Sequence, residues 1–282
     1  MVETRDTLLA ELQERATAVR EGVMVALAAA GSGHVGGSLS LADILAALYF
    51  HTMRVDPKNP RWEDRDRLVL SKGHANAALS AVLAEAGFYS KDLLRTFNHL
   101  DSPFGMHPDM HKIPGCDMST GALGHGLAIG VGMALAARIE HKGYRAFVIM
   151  GDGELHEGSV WESAMAGAHF GLENLVGIVD RNRYCLGSDT EDTMKLEPLA
   201  DKWRSFGWAV RELDGNDMGQ VVDALDAVPF QSGKPSLLLA NTIKGKGFSM
   251  AEDRCDWHYQ TVTDDILESA LREFHASAGG RK

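Results

Sequence analysis

Two short polar runs stand directly after apolar ones: Gly151-Asp152-Gly153 follows Ala146 to Met150, and Asp180-Arg181-Asn182 follows Leu175 to Val179. If each apolar run is a strand and the two strands are neighbours, Asp152 and Asn182 meet. A carboxylate, an amide oxygen and a nearby backbone carbonyl, for which Tyr184 is the candidate, are hard oxygen donors. Such a set suits a small divalent cation that fills its remaining octahedral positions with phosphate oxygens and water, as magnesium does. Gly153 has no side chain, so its N–H can approach a phosphate closely. A lone Gly-Asp-Gly is more often a plain strand-to-helix turn. The second polar run, one helix and one strand further on, is what argues for a site.

The chain as a whole constrains that chemistry. Its 282 residues allow one large or two small domains with a sizeable core. With 45% hydrophobic and 24% charged residues, it reads as a folded globular protein, not a disordered or collagenous one. The formal charge of −11 offers no basic field for a nucleic-acid backbone, so any phosphate needs a local cation. Cys116, Cys185 and Cys255 are widely spaced without a Cys-x-x-Cys pair, which argues against a disulfide framework or a zinc site. The acidic Met1-to-Asp6 start does not resemble a signal peptide, and a cytoplasmic location is expected. Two uncharged stretches, 22–42 and 118–137, are long enough to span a membrane. Their glycines and histidines suit loops feeding buried helices instead, and no membrane association is expected.

Five apolar runs end in glycine and polar residues, and helix-length segments separate most of them: Leu68–Leu70, Ala146–Met150, Leu175–Val179, Trp208–Leu213 and Ser236–Ala240. They read as strands of a doubly wound, mainly parallel α/β sheet flanked by helices, whose C-terminal ends converge on one crevice. Leu8, Leu12, Ala16, Val19 and Val23 recur at helical steps and predict a buried face. Ser40-Leu41-Ala42-Asp43 fits a capping box before a second helix, although Ser40 is also placed to touch a phosphate. Segments 98–118 and 181–198 read as long functional loops. No linker or repeat interrupts the chain, so residues 1–282 are expected to form a single domain with its core at about 8–275 and a fraying C-terminus from Ser277.

Taken in order, Ser32-Gly33-His34, Leu70-Ser71-Lys72-Gly73-His74, Met106-His107-Pro108, Thr120-Gly121-Ala122-Leu123-Gly124, Gly151 to Asn182, Thr242-Ile243-Lys244-Gly245 and Trp257-His258 resemble the thiamine diphosphate-binding domain of the transketolase family. The resemblance covers roughly residues 8–275. It implies the thiamine diphosphate-binding fold, with thiamine diphosphate and magnesium, or another divalent cation such as calcium or manganese, as cofactors. Asp152, Asn182 and the Tyr184 carbonyl would bind the metal, and Gly153, Lys244 and His74 would approach the diphosphate. Gly121, Ala122 and Leu123 would line the thiazolium and pyrimidine pocket, and Ile243 would pack on the thiazolium. His34, His107 and His258 would surround the two-carbon fragment and, with His74, carry its proton transfers. Glu157 and Glu162 match glutamates of the family's subunit interface and carboxylate network, with Glu157 serving cofactor and catalysis.

Ketol transfer suits these residue types. Cleaving and re-forming a carbon–carbon bond moves protons to and from sugar hydroxyls, work fitted to imidazoles of near-neutral pKa. Of the 12 histidines, His51, His99, His111, His141, His156, His169 and His275 match no motif and read as solvated or core residues. His125 opens a glycine-rich helix entry where the family often has glutamine. Val35 replaces the usual proline, Arg181 stands where asparagine is common, and Tyr259-Gln260 replaces Gly-Lys. Gly124 to Gly130 imitates a dinucleotide fingerprint without a preceding strand, and Lys244-Gly245-Lys246-Gly247 lacks the Walker spacing.

The resemblance ends after the first of the family's three domains. It therefore implies the N-terminal subunit of a split transketolase that acts on sugar phosphates in carbohydrate metabolism, in the pentose phosphate route or a specialised one. The partner would be a C-terminal subunit carrying the pyrimidine-binding and C-terminal domains, joined in a heterotetramer. Two alternatives are a subunit of another thiamine diphosphate enzyme, deoxyxylulose-phosphate synthase-like or 2-oxo acid dehydrogenase-like, and a non-catalytic cofactor-binding protein.

Overall fold

The computed structural model describes residues 4–279. Five parallel strands form the central sheet: β2 (Arg67–Leu70), β3 (Ala146–Gly151), β4 (Leu175–Arg181), β7 (Ala209–Asp214) and β8 (Ser236–Asn241), in the order β2-β3-β4-β8-β7. All five are the runs expected from sequence. Two short antiparallel pairs lie outside it, β1 (Ser32–Gly33) with β9 (Gln260–Thr261) and β5 (Tyr184–Cys185) with β6 (Ser188–Asp189).

Both faces of the sheet are covered, which is why the inner strands β3, β4 and β8 are nearly continuous apolar runs, while the edge strand β7 carries the exposed Arg211 and Glu212. Phe147, Ile149, Val176, Ile178 and Leu238 join a core with α1 (Arg5–Ala29), α3 (Ala42–Ala47), α4 (Asn76–Glu85) and α9 (Met218–Asp226). The intervening Val148, Met150, Leu175, Val179 and Leu237 pack on the other side with α5 (Gly126–Ile139), α6 (Gly158–His169) and α8 (Leu199–Ser205). The predicted face of α1 is in place, with Leu12, Ala16, Val19 and Val23 buried. The short helices α2 (Val35–Leu39) and α7 (Thr190–Thr193) complete the flanks, and α10 runs Asp264–Gly279. Helix α10 continues through Ser277 to Gly279, and the remainder of the segment expected to fray, 280–282, lies outside the described residues.

The capping box at Ser40 is a correction. Helix α3 begins at Ala42 with Leu41 at its N-cap and no side-chain cap. The buried Ser40 hydroxyl instead donates to Asp180 at 2.7 Å, 140 residues further along the chain. A second detail explains Val35: it is the first residue of α2, where proline is favoured because the N–H has no helical partner. Valine fits there without proline's constraint. No helix among the described residues is long and apolar enough to cross a membrane.

Candidate active site

Strands β3 and β4 pair with Gly151 opposite Asp180, so the two polar runs leave the sheet side by side. The Asp152 carboxylate is buried at their junction, where Oδ1 accepts from the Gly153 N–H at 2.8 Å and Oδ2 accepts from the Arg183 N–H at 2.6 Å. Burial, then the neighbouring Asp180 charge, pushes its pKa up to about 6 against the pull of Arg181. Asn182 donates its amide N–H to Asp180 at 3.0 Å, which turns its Oδ1 outward to the Tyr184 N–H at 3.2 Å. Asp152 therefore sits directly against the turn that carries Asn182 and Tyr184. Among the described residues no three His, Cys, Asp or Glu side chains gather as a metal cluster, so a cation here depends on one carboxylate supplemented by amide and carbonyl oxygens. That donor set fits magnesium better than a soft metal. A Cβ on Gly153 would lie 3.1 Å from both Cβ and Sγ of Cys185, so a larger residue would have to push that side chain aside.

Asp180, which the sequence reading mentions only within its motif, is the hub beneath this turn. Fully buried, it accepts from Ser40, Asn182, Thr242 and the ammonium of Lys72. Burial alone would raise its pKa, yet the Lys72 charge and these hydrogen bonds hold it below the ordinary carboxylate range. Lys72 is itself 1% exposed and also donates to the Gly37 carbonyl at 2.8 Å. The only advance signal for either residue was a charge placed directly after an apolar run. Arg181 is more than a tolerated departure: its buried guanidinium meets Asp152 at 3.1 Å, Thr190, Glu191 at 2.9 Å and Glu197 at 3.1 Å. It wires the 189–199 segment to the site.

Across the crevice the structure gathers the predicted histidines. The His34 and His74 rings are 4.9 Å apart, and the His258 ring lies 5.3 Å from His34 and 5.5 Å from His74. The β1–β9 pair brings together the ends of the chain that carry His34 and His258. Tyr259 contacts the His34 ring at 4.9 Å and shares a 3.0 Å hydrogen bond with Ser32, so this departure forms part of the rim. Burial first, then neighbouring cations and imidazoles, lowers the pKa of His34 to about 4, His258 to about 3 and His74 to about 2. At neutral pH all three rings are uncharged, and burial holds them well below the near-neutral range that proton transfer favours. His34 Nδ1 is buried without a hydrogen-bond partner among the described residues.

Lys244, 1% exposed, reaches into the same crevice and lies 3.2 Å from His258 Nδ1. Burial and the nearby Lys72 lower its pKa to about 8. With Lys72 committed to Asp180, Lys244 is the buried lysine that makes this end of an acidic chain receptive to an anion. Gly36 leaves room for Lys244, since a Cβ there would come within 2.7 Å of its Cγ. On the outer wall His107 is exposed and its ring covers Gly121, where an added Cβ would sit 3.1 Å from the imidazole. Gly121 has φ +150°, a conformation other residues seldom adopt.

Ala122 is exposed, Leu123 half-buried and Ile243 37% exposed, so these predicted lining residues stand at the open edge. Glu157 and Glu162 are exposed on the first turns of α6, away from the imidazoles, so within this chain neither touches the histidine cluster. The seven histidines set aside above lie outside the cluster: His51 pairs with Asp226, His275 with Glu21, and His156 bonds to the Met194 carbonyl. His125 is exposed at the α5 N-cap, and α5 follows a loop, not a strand, which removes the dinucleotide fingerprint. Two surface cavities of about 560 and 630 Å³ lie elsewhere and include none of the site residues.

A doubly wound sheet with a hard-cation turn, a buried lysine at Lys244 to meet an anion and clustered neutral imidazoles fits a domain that binds a phosphate-bearing cofactor. Comparison with known proteins specifies which one. Residues 12–276 match the family described as transketolase, thiamine diphosphate binding domain, and the chain belongs to that family. It is 43% identical over 263 residues to the 6-deoxy-6-sulfo-D-fructose transketolase subunit SqwG of Clostridium sp. (strain MSTE9), covering 93% of this chain and 96% of that one. It is 44% identical over 244 residues to one of the subunits of the apulose-4-phosphate transketolase of Phocaeicola vulgatus, covering 86% of each. Among solved structures, transketolase from Campylobacter jejuni superposes with a TM-score of 0.87 at 32% identity, covering 94% of this chain but 42% of that one. The chain thus spans less than half of the solved enzyme. Its cofactors are thiamine diphosphate and a divalent cation, and its chemistry is that of a transketolase-type transferase.

Proposed function

We propose that this chain is the N-terminal subunit of a split transketolase, with one diphosphate-binding domain that completes its active site against a separate C-terminal subunit. The observation that carries this reading is the convergence of Asp152, Asn182, Lys244 and three neutral histidines on one crevice, with the exposed His107, Ala122 and Ile243 at its edge. The relatives of matching length are named as subunits, which supports a partner chain here; a heterotetramer is the form we propose. The exposed Glu157 and Glu162 are assigned to that interface. A cytoplasmic location accords with three free cysteines.

In this reading Asp152, Asn182 and the Tyr184 carbonyl hold the divalent cation. Lys244, the Gly153 N–H and His74 bind the diphosphate. Gly121, Ala122, Leu123 and Ile243 pack against the rings. Thiamine diphosphate supplies the electron sink that a two-carbon ketol fragment requires, which no protein side chain offers. His34, His107 and His258 are assigned to accept and return the hydroxyl protons of donor and acceptor. Tyr259 closes the rim beside His34. The donor is a ketose phosphate and the acceptor an aldose or its phosphate; the relatives named for apulose 4-phosphate and a sulfofructose place branched and modified sugars among the donors to screen first.

Affinity purification of the chain from its native cell should recover a partner bearing the two missing domains, and the complex should turn over ketose donors. Consumption of pyruvate without ketose turnover would favour the 2-oxo acid alternative instead. Asp152→Ala should abolish magnesium-dependent binding of thiamine diphosphate by calorimetry, and unchanged heats would remove Asp152 from the site.

A further inference from the structure

Glu154 was not among the expected site residues, yet its carboxylate, 3% exposed, joins three segments of the crevice wall. Oε1 accepts from the Gly124 N–H at 2.8 Å and from the Ser71 hydroxyl, and Oε2 accepts from the Gly151 N–H at 3.1 Å. Ser71 Oγ in turn accepts from the Gly126 N–H at 3.1 Å. The end of β2, the end of β3 and the 124–126 turn therefore meet on one side chain. There is no slack around it: a Cβ on Gly126 would overlap the Ser71 hydroxyl, and one on Gly124 would come within 2.6 Å of Ser159 Oγ and 2.7 Å of Glu157 Cβ. At the other end of the same stretch the Thr120 hydroxyl donates to the Leu70 carbonyl at 2.6 Å. Gly121, Ala122 and Leu123 lie between these two anchors.

We propose that Glu154 is a positioning residue which, through Gly124 and Ser71, holds the Gly121–Leu123 edge where it meets the ring portion of thiamine diphosphate. This rests on the function proposed above and assigns the ring end of the cofactor a control separate from the phosphate end at Lys244 and Asp152. Every group facing the carboxylate is a donor, so an ionised acceptor is needed at both oxygens. In Glu154→Gln the amide NH2 must face either the Gly151 N–H or the Gly124 N–H, donor against donor, whichever way it turns.

The test has two arms. Amide exchange on the full chain should show Gly124 and Gly126 exchanging at least about tenfold faster in Glu154→Gln, with Val148 and Ile149 unchanged. In the complex with the co-purified partner, Ser71→Ala, which leaves the Gly151 N–H on Glu154, should bind magnesium thiamine diphosphate several-fold more weakly while binding magnesium pyrophosphate within about twofold of wild type, and Glu154→Gln should lose about tenfold for the former and less for the latter. Ser71→Ala, which removes the donor to Glu154 Oε1 and the acceptor of the Gly126 N–H while leaving the Gly124 and Gly151 N–H groups on Glu154, should speed exchange at Gly124 and Gly126 by less. Equal losses for both ligands, or unchanged protection of Gly124 and Gly126, overturns the positioning role. Wild-type complex that binds neither ligand refutes the proposed function instead, and the two failures are thereby told apart.

Discussion

Replacing Lys72 by methionine tests the foundation of the site. Lys72 and Asp180 are 1% and 0% exposed, so removal of the ammonium leaves a carboxylate in the interior without its counter-charge. Breaking such a pair from one side costs about 3–5 kcal/mol. Asp180 keeps donors from Ser40, Asn182 and Thr242, which places the loss near the lower end of that range. The Gly37 carbonyl also loses its 2.8 Å partner, worth roughly 1 kcal/mol. A total of about 4 kcal/mol corresponds to a fall in Tm of roughly 10 °C for a domain of this size. Calorimetry and urea unfolding of the wild type, Lys72→Met, Asp180→Asn and the double variant measure it. Asp180→Asn should cost as much, because it leaves Lys72 unpaired and sets an amide NH2 against one of four donors. The double variant should cost less than the sum by at least about 2 kcal/mol, since both charges leave together. The two single variants should also part at the site: Asp180→Asn removes the acceptor that orients Asn182 and should weaken magnesium-dependent cofactor binding more than Lys72→Met does. A Lys72→Met chain within about 1 kcal/mol of wild type, or strictly additive costs, would refute the reasoning.

The histidine cluster makes stability depend on pH with a definite sign. Folded His34, His258 and His74 have pKa values of about 4, 3 and 2, below the 6.5 of an unfolded imidazole. Below about pH 6.5 the unfolded chain binds protons the folded one refuses, so stability falls as pH is lowered from there toward 4. Unfolding free energies across that window should show a shallower slope in His34→Asn and His258→Asn, and an unaltered slope would disprove the assignment. Lys244, near pKa 8, is about half charged at that pH, so an anion beside it should draw in up to about half a proton. Titrating magnesium pyrophosphate in buffers of different ionisation enthalpy measures the uptake, and Lys244→Met should lose it. Gly121→Ala forces a Cβ to 3.1 Å from His107 at φ +150°. We expect a cost of about 1–3 kcal/mol and a displaced His107, seen as a changed imidazole resonance.

The strands and the ligand types were legible in the chain because both depend on local pattern. A buried parallel strand needs an uninterrupted apolar run, and the residue just past its end must be polar or glycine to face a ligand. Ala146–Met150 before Gly-Asp-Gly and Leu175–Val179 before Asp-Arg-Asn met both conditions, which brought Asp152 and Asn182 within view of each other. The histidines that match motifs were separable from the rest by their neighbours in sequence. Long-range pairing was not legible, because nothing local encodes it. Ser40 has the spacing of a helix cap, and only the fold brings Asp180 to its hydroxyl. Lys72, Glu154 and Arg181 look like ordinary surface charges in a row of letters. Their roles arise once burial removes water and each must find its counterpart among segments distant in sequence: Asp180 for Lys72, Ser71 and Gly124 for Glu154, and Asp152, Glu191 and Glu197 for Arg181. Charge neutralisation in a dry interior is a property of the packed chain, so the tertiary structure alone decided which of these residues support the site.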